Sequence, residues 1–129
     1  MSVTDNKVKV EKMNDAMARA DVEGFLAYVP EDFAWTMVGE APVQGKDAIR
    51  TFMGQMGSEP PDFTVRALVG DGDYVIARGD MRMPDESGAV VTYEFCDVWR
   101  FAGDRPVELN AFVIKTQTAE KARAAGSAR

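Results

Sequence analysis

The sequence predicts an α+β domain, a curved and mainly antiparallel sheet wrapped over three N-terminal helices as a cone-shaped barrel. Three observations predict it. Apolar residues in the first half recur at helical spacing, whereas those after residue 62 alternate with a period of two. The strand segments of the second half are joined by turns short enough to force antiparallel pairing of neighbours. Third, Tyr93, Phe95, Trp99 and Phe101 share one face of a single long segment, as they must on a strand pressed into a core. Asp97 interrupts that aromatic face. A carboxylate there must be exposed by an irregularity, paired, or protonated, because a lone buried charge is too costly to keep.

The elements follow in order. Val10, Met13, Met17 and Ala20 mark an amphipathic helix from about Thr4 to Ala20. Asp21 suits the N-cap of a second, short helix with Val22, Phe25, Leu26 and Val29 on one face, and Pro30 stops it. Phe33 to Val38 reads as a strand with Phe33, Trp35 and Met37 on one side, broken by the loop from Gly39 to Gly45. Ile49, Phe52, Met53 and Met56 mark a third helix ending at Gly57. Four strands follow: Phe63 to Val69, Tyr74 to Met83, Ala89 to Phe101 and Val107 to Thr116, with Gly70-Asp71-Gly72-Asp73 as a strong tight-turn signal. The sequence reads as one domain over 1–129, with a core from about residue 8 to 116 and a polar, alanine-rich tail over 117–129.

Composition bounds the function. A net charge of −6 offers no basic footprint for nucleic acid. No apolar run approaches the roughly 20 residues that span a bilayer. The single cysteine, Cys96, excludes an internal disulfide and fits a reducing compartment, and the N-terminus has no apolar signal core, so a cytoplasmic location is expected. Histidine is absent. That removes the commonest general base and the commonest metal ligand, leaving proton transfer to carboxylates, tyrosine, lysine or water; no metal or other cofactor is expected.

With Asp21-Val22-Glu23-Gly24-Phe25, Gly45-Lys46-Asp47-Ala48-Ile49 and Asp97-Val98-Trp99-Arg100-Phe101 at these spacings, the chain resembles the nuclear transport factor 2-like superfamily. It looks closest to the branch of SnoaL-like polyketide cyclases, ketosteroid isomerases and limonene-epoxide hydrolases. The resemblance implies an apolar pocket at the wide end of the cone and homodimers built on the outer sheet face. In ketosteroid isomerases an aspartate opening such a D-V-x-R-F segment donates a hydrogen bond from its protonated form to the substrate oxyanion. Asp97 takes that position, while the family's partner tyrosine falls at Met13 and its base near Thr36. In limonene-epoxide hydrolases an arginine and an aspartate two apart share the site with a second aspartate. Arg78-Gly79-Asp80 reproduces the pair, the second acid falls near Ala111, and the water-orienting groups fall near Trp35 and Met37.

These patterns give Asp97, Asp80 and Arg78 as candidate catalytic residues. Trp35, Met37, Phe52, Met56, Tyr93, Phe95, Trp99, Ala111, Val113 and Tyr28 are the candidate ligand lining. Arg82 continues the Arg78–Asp80 face toward the rim, and eight methionines favour an adaptable lining. Val75, Ala77, Met81, Val98 and Phe112 are expected on an apolar outer face that supports a homodimer. The reading is a binding protein for a small apolar molecule with a carbonyl or hydroxyl group, catalytic as a cyclase, isomerase or hydrolase where a carboxylate moves a proton. The alternative is a non-catalytic dimeric binding or assembly module whose cavity is filled.

Overall fold

A computed structural model describes residues 3–56 and 59–117; the tail beyond residue 117 lies outside the described residues. Helix α1 runs Val3–Ala18 and α2 Val22–Leu26; strands β1 (Ala34–Met37) and β2 (Val43–Gln44) precede α3 (Lys46–Gln55). Strands β3 (Asp62–Asp71), β4 (Tyr74–Pro84), β5 (Val90–Ala102) and β6 (Arg105–Gln117) complete one six-stranded sheet in the order β2-β1-β6-β5-β4-β3. The sheet is curved and does not close, since β2 and β3 remain edges. All registered pairs are antiparallel except β1 with β6. The expected α+β cone is therefore present, as an open sheet rather than a complete barrel.

Local chemistry accounts for the helix starts. The Asp21 side chain caps α2, its Oδ1 accepting from the Gly24 backbone N–H at 2.9 Å. Gly45, at φ +95°, lets the chain swing from β2 into α3. The segment between Gly39 and Gly45, expected to be only a loop, contains β2. Two residues suffice because Trp35 and Val43 pair across an edge, too short a run for periodicity to register.

The helices and the inner face of the sheet share one core. Phe25 stands with its ring centroid 5.7 Å from Trp35, 6.1 Å from Trp99 and 6.5 Å from Phe33. Val10 and Met13 of α1, Ile49 and Met53 of α3, and Leu109 and Phe101 of the sheet surround this cluster. Asn6 ties α1 to the β5–β6 turn through a 3.1 Å bond to the Gly103 carbonyl, and Lys9 reaches the Asp104 carbonyl at 2.6 Å.

One correction concerns β4. Val75 and Ala77, expected outside, are fully buried on the inner face, and Met81 follows them there. Arg78, Asp80 and Arg82, expected inside, lie on the outer face with Val98 and Phe112. The physical reason is desolvation: three charges turned inward would lose water, whereas outside they pair across strands and the two arginines keep contact with water. Arg78 Nη2 bonds Glu94 Oε1 at 3.1 Å, Arg66 Nη2 bonds Asp80 Oδ2 at 2.8 Å, and Arg82 Nη2 bonds Asp62 Oδ1 at 2.9 Å.

Two glycines with opposite surroundings give a test of this packing. The β3 register shifts between Val65 and Ala67, and there the backbone closes on Gly79: an added Cβ would sit 1.8 Å from the Thr64 carbonyl oxygen. Gly79→Ala is expected to cost about 1–3 kcal/mol, because the edge strand must move. Gly54, exposed on the outer side of α3 with nothing near, should instead stabilise on Gly54→Ala by about 0.5–1 kcal/mol. Urea denaturation of the two variants measures both signs.

Candidate functional site

The pairing registers order the inner face into rows. Val75, Trp99, Leu109 and Trp35 make one row; Ala77, Asp97, Ala111 and Met37 the next; Gly79, Phe95 and Val113 the next; Met81, Tyr93 and Lys115 the outermost. The first row is sealed, with Trp99 and Leu109 1% exposed and Trp35 5%. Toward the outermost row Met81, Tyr93 and Val113 are half-buried, as are Phe63 and Val65 of β3. Asp97 sits at the inner limit of this half-open part, although Phe95 (7% exposed) and Gly79 in the next row are buried. The helices facing this sheet supply Met17 of α1 and Phe52 of α3 as partly buried apolar neighbours.

Asp97 is flanked on both neighbouring strands by alanine, Ala77 on β4 and Ala111 on β6. Among the described residues it has no hydrogen bond or ion pair. Burial among apolar neighbours pushes its pKa from 3.8 up to about 7, since desolvation penalises the charged form. The group is nonetheless only half-buried. A carboxyl that keeps its proton near neutral pH and can still be reached donates an O–H to a ligand oxygen, or lends and recovers a proton.

The structure brings together part of the expected set. Met37, Ala111, Phe95 and Val113 surround Asp97, Tyr93 stands farther out on the same face, and Phe52 packs against the Trp35 ring with centroids 5.3 Å apart. Trp35 and Trp99 are core rather than open lining. Both indole nitrogens are buried without an acceptor, a cost taken up by the packing of the rings. Tyr28 is partly buried against the core. Met56, just past α3, is 53% exposed and stands apart from the sealed row. Arg78 and Asp80 lie on the opposite face of the sheet from Asp97. Thr36, at the expected base position, pairs with Asn110, on the alternate side of β1 from Trp35. Met13 is fully buried core.

Sequence reasoning missed Ala77, Phe63 and Lys115 as members of this face. Alternation in β4 carried the signal for Ala77, since Val75, Ala77, Gly79 and Met81 form the side without charge. A separate concavity of about 310 Å³ lies between α1 and β3, lined by Glu11, Asn14, Asp15 and Val65 to Leu68. Asp97 does not line it, although Leu68 pairs with Ala77 in the Asp97 row and Val65 with Gly79 in the next. Among the described residues, no three His, Cys, Asp or Glu side chains gather where a metal ion would bind, and no helix is long and apolar enough to cross a membrane.

Several solved structures share the architecture. An NTF2-like protein of unknown function from Burkholderia pseudomallei K96243 superposes with a TM-score of 0.76 at 24% identity, covering 95% of this chain and 97% of that one. A protein assigned as a SnoaL-like polyketide cyclase from Jannaschia sp. CCS1 gives 0.76 at 16% identity, covering 85% of each chain. One assigned as a ketosteroid isomerase from Kribbella flavida DSM 17836 gives 0.72 at 15% identity, covering 89% of this chain and 82% of that one. Identities this low establish the fold alone. No curated protein matches the chain by sequence. The sequence model of the SnoaL-like domain, however, matches residues 10–109, and the chain belongs to the SnoaL-like domain family.

Proposed function

We propose that the protein binds a small hydrophobic molecule carrying a carbonyl or hydroxyl oxygen in the half-open part of the inner face. Asp97 is its hydrogen-bond donor and, where chemistry follows, the acid that moves a proton in a cyclase- or isomerase-type step. The observation that carries this reading is a half-buried carboxyl without a partner on an otherwise apolar sheet face. Structural carboxylates are normally paired, as every outer-face acid near Asp97's strand is here. The fold's presence in proteins assigned as a polyketide cyclase and a ketosteroid isomerase supports the chemistry class. With Arg78 and Asp80 outside, an arginine–aspartate hydrolytic site is not part of the proposal.

The working unit we propose is a homodimer. Val69, Phe112 and Ile114 are 56%, 42% and 66% exposed on the outer face beside Ile76 and Val98, a patch that a second copy would cover. A second reading, a non-catalytic binding module, draws on the sealed Trp35–Trp99 row, which fills the closed half of the cone.

Binding of propiophenone and of the matched hydrocarbon propylbenzene, followed by tryptophan fluorescence, tests the ligand reading. The ketone is expected to bind more tightly to the wild type, and Asp97→Leu to erase about tenfold of that preference. Equal affinity of ketone and hydrocarbon for the wild type would refute it.

A further inference from the structure

Along the registered strands, the inner face carries two groups of the carboxylate or ammonium type, and they stand at opposite ends of the half-open region. Asp97 lies at its inner limit. Lys115 of β6 lies in the outermost row, directly opposite Tyr93, which is in turn opposite Met81 and then Phe63. Tyr93 and Asp97 are four residues apart on β5, about 13 Å of extended strand. Between these rows the face is Phe95, Val113 and Gly79, without charge.

Lys115 is not fully engaged by its own fold. Its ammonium stands 3.8 Å from Asp85 Oδ2, at the long limit of an ion pair, and its side chain is 36% exposed. Asp85 already accepts from the Ser87 backbone N–H at 2.9 Å and the Ser87 hydroxyl at 2.6 Å, both on Oδ1, in the β4–β5 turn. An ammonium has three donors, so one loose contact leaves capacity for an anion arriving at the rim.

From this placement, and resting on the proposed role of Asp97, we infer that the ligand is an amphipathic oxo-carboxylate. Its carbonyl oxygen meets Asp97 at the inner end, its hydrophobic body lies along Val113 beside the buried Phe95 ring, and its carboxylate meets Lys115 at the mouth. The two polar ends then fix both direction and depth of insertion, which a uniformly apolar trough leaves open.

Three probes separate the parts: 9-oxodecanoate has both ends, 2-decanone only the carbonyl, and decanoate only the carboxylate. Binding is read by NMR from the Asp97 carboxyl carbon and the Lys115 side-chain resonances. The inference expects 9-oxodecanoate to bind about tenfold more tightly than 2-decanone at low salt, with both residues' signals moving. Lys115→Met should bring the oxo-acid down to the affinity of 2-decanone, and Lys115→Arg should keep most of the difference. If 2-decanone moves the Asp97 signal but the carboxylate adds no affinity, the inference fails and the role of Asp97 stands. If Lys115→Met weakens both ketones alike, Lys115 is only structural and the inference also fails. If neither ketone moves the Asp97 signal, the underlying reading fails and takes the inference with it.

Discussion

Trp99→Ala is expected to lower stability by about 4 kcal/mol, the range for deleting a large buried aromatic. Trp99 is 1% exposed, joins β5 to α2 through Phe25 at 6.1 Å, and touches Phe33 at 6.0 Å. Truncation removes the central member of the sealed row, and α2 has too few residues to refill the space. Trp99→Phe should cost much less, because it keeps a ring and removes an indole N–H that has no acceptor. Denaturant midpoints of the two variants check the ordering. A ring-sized cost for both would mean that shape, not the unsatisfied donor, sets the balance.

The second large effect is on pH dependence. Asp97 is protonated more readily in the folded chain, with a pKa of about 7 against 3.8 for the ordinary side chain. The folded state therefore holds more protons than the unfolded state between these values. This contribution is fully present below about pH 4 and is lost as pH rises through about 7. The span between 3.8 and about 7 corresponds to about 4 kcal/mol, and the solvent still touching a half-buried carboxyl reduces that to about 2 kcal/mol. Asp97→Asn carries no titrating group there. Stability curves of wild type and variant, measured from pH 4 to 8, should diverge with rising pH, the variant becoming the more stable. Parallel curves would show that Asp97 ionises without cost. Asp62 and Asp85 act in the opposite sense, held low by hydrogen bonds from Arg82 and Ser87 respectively, and they appear equally in both proteins.

Much of the fold was legible because burial leaves a periodic trace. The helical spacing of Val10, Met13 and Met17 and the alternation through Tyr93 to Phe101 both reflect a single buried face, which the structure has. The position of Asp97 was legible for the same reason: it breaks an apolar pattern. The side of β4 is not legible from the charged triplet Arg78-Gly79-Asp80, because the uncharged alternate positions Val75, Ala77 and Met81, not the charges, mark its buried face. Charges with cross-strand partners prefer the outer face, and those partners, Glu94 and Arg66, are set by register. Register also hid Ala77 and Lys115, since no property of either residue alone places it in line with Asp97 or Tyr93. Trp35 and Trp99 were legible as inward but not as sealed; only packing from α2 and α3 decides whether an inward aromatic meets solvent.

The role of Asp97 as a proton-bearing group that meets a ligand oxygen is tested most directly by titrating its carboxyl carbon by NMR, with and without 2-decanone. An apparent pKa near 7 in the free protein, displaced when the ketone binds, is the predicted result. A value at or below that of an ordinary aspartate, about 3.9, in both titrations would contradict it.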